Sequence, residues 1–327
     1  MKRIFTLQLN LQWPFFIGFL LLTACKPSPK EIFTHAMEGT NTPWSGEDFD
    51  NSPDKFTFAI ISDLNGGERE GVFEKAVDQI NLFQPEFVLS VGDLIDGGTE
   101  DTTQLKKEFD DFDRRASKLE APFFHLGGNH DLTNPAMRDY WTKRYGARYY
   151  HFVYKNVLFL MMDSEDYEED RMLEIYHARA EAIKVMDSDS SEKAKEMEYY
   201  KMRERQTGEI GEEQSKFFEK VIMDNPQVQW TFILMHKPVW EREEENDFIR
   251  MEEALGERPY TVINGHFHSY SHRVKNNRDY MILGTTGGSQ NPNDPNAFDH
   301  FTLVTMTEKE PSIVNVKMDG VLDKKGL

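Results

Sequence analysis

At 327 residues, with 39% hydrophobic and 13% aromatic content, the chain can bury a substantial core and is too apolar to be a disordered segment. Its single cysteine excludes a disulfide scaffold. A formal net charge of −19 lacks the basic footprint of a nucleic-acid binder, so no nucleic-acid partner is expected, and any anionic substrate needs bound cations at its site.

Residues 1–24 read as a secretion signal. Lys2 and Arg3 precede an apolar stretch, Leu11 to Leu22, that is too short and too close to the start for an ordinary spanning helix. The stretch ends in Leu22-Thr-Ala-Cys25, which resembles the bacterial lipoprotein signal: a leucine, two small residues and a cysteine mark the cleavage site, and the sulfur receives a diacylglycerol. The alternative is a free thiol in an uncleaved anchor. The resemblance implies a lipid anchor at Cys25 and a place in the bacterial cell envelope, outside the cytoplasm, made stable by more than one acyl chain. Residues 25–55 follow as a tether, with Pro27, Pro29, Pro43 and Pro53 among polar residues and Trp44 available to dock on a domain.

From Phe56 the chain alternates. Apolar runs at Phe56 to Ile61, Phe87 to Val91, Pro122 to Leu126, Val157 to Met162, Val228 to Met235 and Tyr260 to Ile263 read as buried strands. Amphipathic segments at Arg69 to Phe83, Thr103 to Leu119 and Glu212 to Met223 read as helices between them. Tyr149 to Tyr154, Tyr280 to Leu283, Phe301 to Met306 and Ser312 to Lys317 bring the strands to about ten, more than one compact twisted sheet usually holds. The expectation is an α/β domain over residues 56–320 with two packed sheets. An insertion at about 167–206, dense in Glu, Lys, Arg and Met, reads as a charged helical hairpin: a solvated excursion, or a lid over the site.

Chemistry collects at the strand ends. Asp63 follows the first run, Gly92-Asp93 the second, Gly128-Asn-His-Asp131 the third, His236 the fifth and Gly265-His-Phe-His268 the sixth. Singly, each has a structural explanation as a turn, cap or loop residue. Repetition of Asp, Asn and His on the rim where α/β sheets take ligands points to a metal centre. The mixed oxygen and imidazole set suits borderline or hard divalent ions.

In order and spacing these motifs resemble the calcineurin-like metallophosphoesterase family, whose pattern is D-x-H, GD, GNH followed by D or E, H, and GHxH. The likeness covers about Phe56 to Leu283, and departs only at Asn65, where the family has histidine. It implies two packed mixed sheets flanked by helices and a centre of two divalent ions, manganese first, with iron, zinc or magnesium as alternatives. Asp93 would bridge both ions. Asp63 and His268, with Asn65 as a further ligand or only a turn residue, would hold the first; Asn129, His236 and His266 would hold the second. His130 would meet the leaving oxygen, oriented by Asp131. The implied activity is hydrolysis of phosphate mono- or diesters, on a small-molecule or macromolecular substrate, by a metal-bridging hydroxide. The other readings are a degenerate, catalytically weak member that binds a metal or phosphorylated ligand, and a structural envelope lipoprotein with incidental histidines. Asp96, His125, His272, Asp163 and Arg138, near the motifs, read as structural.

Overall fold

A computed structural model describes residues 32–37, 41–49, 55–186, 188, 191–243, 245–318, 320–323 and 325. The signal read over residues 1–24, Cys25 and the start of the tether lie outside them. In chain order the first elements are β1 (Phe33–His35), β2 (Phe56–Ile61), α1 (Val72–Phe83), β3 (Phe87–Ser90), α2 (Thr102–Ala116), β4 (Phe123–Phe124), α3 (Pro135–Tyr145), β5 (Tyr150–Tyr154) and β6 (Val157–Met161). Next come α4 (Glu169–Met186), α5 (Glu198–Lys201), α6 (Glu204–Thr207), α7 (Glu212–Asp224), β7 (Trp230–Leu234), α8 (Asn246–Leu255) and β8 (Tyr260–Asn264). The chain continues through β9 (Ser271–Lys275), β10 (Arg278–Ile282), β11 (His300–Met306), β12 (Pro311–Lys317) and β13 (Gly320–Asp323).

The strands form two mixed sheets, ordered β1-β5-β6-β7-β8-β10-β9 and β13-β12-β11-β2-β3-β4. Period-two alternation explains how they stack. Phe58 and Ile60 of β2 point into the core between the sheets, whereas Ala59 and Ile61 point out to α1, α2 and α3. In the facing sheet, Phe159 and Phe232 point inward while Leu158, Leu160 and Ile233 meet α7 and α8. Aromatic rings join the layers: Phe58 lies 5.2 Å from Phe159 and 5.1 Å from Phe232, and Phe124 lies 4.5 Å from Phe152. The expected fold, two packed mixed sheets flanked by helices, is the one observed.

Several elements differ from expectation. Part of the stretch read as a tether is packed, since β1 pairs antiparallel with β5 and Trp44 is buried against Phe124. α3 was not expected; the Asn134 side chain caps it by accepting from Met137 N at 2.9 Å, with Pro135 opening its first turn. The second arm of the hairpin is not one helix. It comprises a 3₁₀ segment, Ser191–Glu196, followed by the single-turn α5 and α6.

Candidate metal centre

The loops that leave β2, β3, β4, β7 and β8 emerge at carboxyl ends of parallel pairs and carry the motif residues. They are drawn together by main-chain bonds: Asp63 N donates to Gly92 O at 3.2 Å, and Gly265 N to His236 O at 3.0 Å. Asp63, Asp93, His266 and His268 all hold positive φ, between 45° and 78°, a region side-chain-bearing residues avoid. Such conformations persist where the surroundings fix them, and they cluster at functional sites. Gly128 permits a close approach to two of the donors. A Cβ there would stand 2.3 Å from Asp93 Oδ1 and 2.7 Å from His236 Cγ.

Two donor groups result, and they share one carboxylate. Asp93, His236 and His266 form one; Asp63, Asp93 and His268 form the other; within each, one ligand atom per residue lies within 4.8 Å of the others. Asn129 Oδ1, 3.2 Å from His236 Nε2, joins the group of His236. Each histidine is oriented by a backbone carbonyl. His236 Nδ1 meets Val91 O at 2.8 Å, His266 Nε2 meets Arg205 O at 2.7 Å, and His268 Nδ1 meets Ser289 O at 2.6 Å. A carbonyl only accepts, so those nitrogens carry the protons and the opposite ones present lone pairs to the site, the arrangement of metal-ligating histidines.

The electrostatics agree with a cation site. Burial opposes charge on Asp93, but His236 and His130 outweigh it and hold the carboxyl well below its usual range. Burial likewise works against protonation of His236 and His268, yet Asp93 beside the first and Asp63 beside the second push each up to about 9. The carboxylates thus draw positive charge to these lone pairs, and a divalent cation meets that demand at the same atoms by displacing a proton. Burial, then the neighbouring His236, keeps His266 neutral, well below its ordinary value.

The side chains of Asn65 and Asp131 both bind main chain. Asn65 Nδ2 donates to Leu94 O at 2.6 Å, and the residue borders a cavity along α2 with Glu68 and Leu94. This bond ties the Asp63 loop to the Asp93 loop. Asp131 does not touch the His130 ring. Fully buried, it accepts from Gly128 N at 2.8 Å, Leu94 N at 3.0 Å and Ile95 N at 3.2 Å, and so holds together the loops of Asp93 and Asn129.

His130 is oriented instead by Asp96 O, 2.7 Å from its Nδ1, while its N donates to Asp93 Oδ1 at 2.8 Å. Burial, against the pull of Asp93 and aided by Arg179, lowers its pKa. His125, His272, Asp163 and Arg138 have structural partners. His125 stacks on Tyr145 at 4.0 Å, His272 pairs with Asp279, Asp163 pairs with Arg148, and Arg138 donates to Tyr167 O. A further residue, outside every motif, is Arg179 of α4, whose Nη2 stands 3.0 Å from His130 Nε2. Its signal lay in the buried positions Met172, Ile175, Arg179 and Ala182, spaced by three and four, where a lone arginine interrupts an apolar stripe.

The calcineurin-like phosphoesterase family model matches residues 56–270, more than half of the chain, and the chain belongs to that family. It is 30% identical over 141 residues to the serine/threonine-protein phosphatase CPPED1 of Pongo abelii, and the alignment covers 40% of each protein. In fold it resembles a dimetal phosphatase from Danio rerio, with TM-score 0.59 and 14% identity over 83% of this chain and 99% of that one. It also resembles the purple acid phosphatase PPD1 of yellow lupin, Lupinus luteus, with TM-score 0.55 and 13% identity over 84% of this chain and 53% of that one.

Proposed function

We propose that the protein is a metal-dependent hydrolase of phosphate mono- or diesters, working with two divalent ions held by Asp63, Asp93, Asn129, His236, His266 and His268. The observation that carries this reading is Asp93, shared between two donor groups whose histidines all present oriented lone pairs. Two such cations lower the pKa of a water, supplying hydroxide at neutral pH, and neutralise phosphoryl oxygens during in-line attack. The chain's own residues complete the site. Asp93 Oδ1 fixes the backbone of His130, and Asp96 O fixes its ring, so Nε2 is the nitrogen left to face a leaving oxygen, where it acts as proton donor or charge stabiliser once the ring carries protons on both nitrogens. Manganese suits the mixed set, and iron, zinc and magnesium are alternatives. We further propose that the protein acts outside the cytoplasm, anchored through acylated Cys25, and that its acidic charge keeps nucleic acid from its substrate range. Acyl chains in the intact mass of the native protein test the anchor.

The decisive experiment is a hydrolysis panel of mono- and diesters on protein reconstituted separately with Mn, Mg, Zn, Fe and Ca. Turnover is expected, and Asp93→Asn removes most of it while lowering occupancy of both ions. His130→Ala keeps the metals but slows turnover roughly 10²–10⁴-fold, most for poor leaving groups. Metal-loaded protein that hydrolyses none of the esters refutes the reading and leaves a binding relative.

A further inference from the structure

The helical insertion adds recognition of its own. Arg179, Ala182, Ile183 and Met186 share one face of α4 and border a cavity of about 860 Å³, which Asp93, Asn129 and His130 also line. Arg179 is only 8% exposed. Among the described residues no carboxylate pairs with it, although the chain has 57 acidic against 38 basic side chains. Arg115, Arg148 and Arg242, also largely buried, are each ion-paired, and Arg138 is held instead by the main-chain carbonyls of Leu132 and Tyr167. A desolvated guanidinium without a counter-ion is costly, and once divalent cations occupy the neighbouring donors it is repelled as well. An anion entering between them offsets both costs.

The wall around Arg179 has a different character. Ile183, Met186 and Phe267 leave 37%, 46% and 38% of their surface exposed, and all border the same cavity. Tyr200 stands with them, its ring covered by the Arg205 guanidinium at 4.4 Å from the centroid. An apolar mouth above a charged floor fits an amphipathic molecule whose anionic end goes in first.

We propose that the insertion makes the site selective for phosphomonoesters of apolar or aromatic alcohols. The planar fork of Arg179 takes two oxygens of the phosphoryl group, and Ile183, Met186, Tyr200 and Phe267 hold the organic group. A monoester presents three terminal oxygens and two negative charges. A diester has two terminal oxygens and one charge, so a filled guanidinium fork leaves it none with which to meet the metal centre. The inference rests on the phosphoester reading of that centre.

Calorimetry on the manganese-loaded protein with phenylphosphonate and methylphosphonate, neither hydrolysable, reads binding without turnover. Phenylphosphonate is expected to bind more tightly; Arg179→Ala weakens both about 10–100-fold, Arg179→Lys recovers part, and Tyr200→Ala with Ile183→Ser removes the preference for phenyl. In turnover, Arg179→Ala lowers kcat/KM for phenyl phosphate and narrows its advantage over diphenyl phosphate. Equal binding of the two phosphonates by the wild type overturns the inference, as does unchanged phenylphosphonate affinity in a folded Arg179→Ala. Should that variant not fold, Arg179→Lys decides: weakened affinity supports the fork and wild-type affinity overturns it. Ester hydrolysis that is indifferent to Arg179 defeats this inference alone. Phosphonate binding in the expected pattern without hydrolysis of any ester defeats the proposed hydrolysis alone.

Discussion

Replacing Gly128 by alanine tests the metal centre without altering any donor. The glycine has no positive φ, so the substitution costs space and not backbone strain. The added Cβ would lie 2.3 Å from Asp93 Oδ1 and 2.7 Å from both Asp93 N and His236 Cγ. The first of these is more than about 1 Å inside ordinary van der Waals contact, and both residues are fixed from behind, so relief must come from movement of the carboxylate. Overpacking of this kind costs about 1–3 kcal/mol. A ligand displaced by that much also weakens metal binding, with about 10–100-fold as the scale known for disturbed support of metal ligands. Gly127→Ala is the matched control. Its Cβ meets Leu132 Cδ1 at 2.7 Å and touches no donor, so it should lower the melting temperature and leave metal affinity alone. Manganese titration by calorimetry, with thermal melts of both variants, measures the difference. Wild-type affinity in Gly128→Ala, or an equal loss in Gly127→Ala, refutes the reasoning.

Asn65→Ala strands the buried Leu94 carbonyl and should destabilise the protein by about 1–3 kcal/mol, with no change in manganese affinity; a selective loss of the weaker ion in calorimetry identifies Asn65 as a ligand. The two manganese affinities of the wild type should be unequal, the weaker belonging to Asp63 and His268, because Asn129 augments only the other group. His300 supplies a pH dependence. It is buried, its Nε2 accepts from Gly284 N at 2.8 Å, and burial brings its pKa down to about 4. The unfolded chain takes up a proton near pH 6.5 and the folded one only near 4, so this neutral imidazole's contribution is complete above 6.5 and is lost as pH falls toward 4. The loss is about 3 kcal/mol. Urea midpoints of the wild type should therefore fall more steeply than those of His300→Gln across that window, and parallel slopes exclude the effect.

The donor set was legible because each ligand follows a buried apolar run that can hardly be anything but a strand, and because glycine beside Asp or His marks a backbone bent for close approach. Two sheets followed from the number of such runs. α3 escaped notice because its buried face is only Met137, Trp141 and Tyr145 among polar neighbours, although Asn134-Pro135 announces its start. The second arm of the insertion misled for the opposite reason. Its charge pattern suits a helix, but single-turn pieces result where few side chains are buried to reward a longer one. Asn65 and Asp131 show the limit of a motif, which places a residue in the chain but does not say which way its side chain turns.

The insertion is not a module laid over a finished centre. His266 presents its lone pair because its other nitrogen donates to Arg205 O, a carbonyl at α6. Lys237, next to His236, is 1% exposed, donates to Glu204 O at 2.9 Å and pairs with Glu165, which bridges Glu209 just past α6. Breaking a buried pair of this kind costs about 3–5 kcal/mol, because the remaining charge has no water. Docking of α6 therefore orients a metal ligand from one side and anchors the strand end of another from below, and the same segment carries Arg205 into the cavity mouth. Substrate recognition and metal retention draw on one set of contacts, so changes in the insertion that alter selectivity will also be felt at His266.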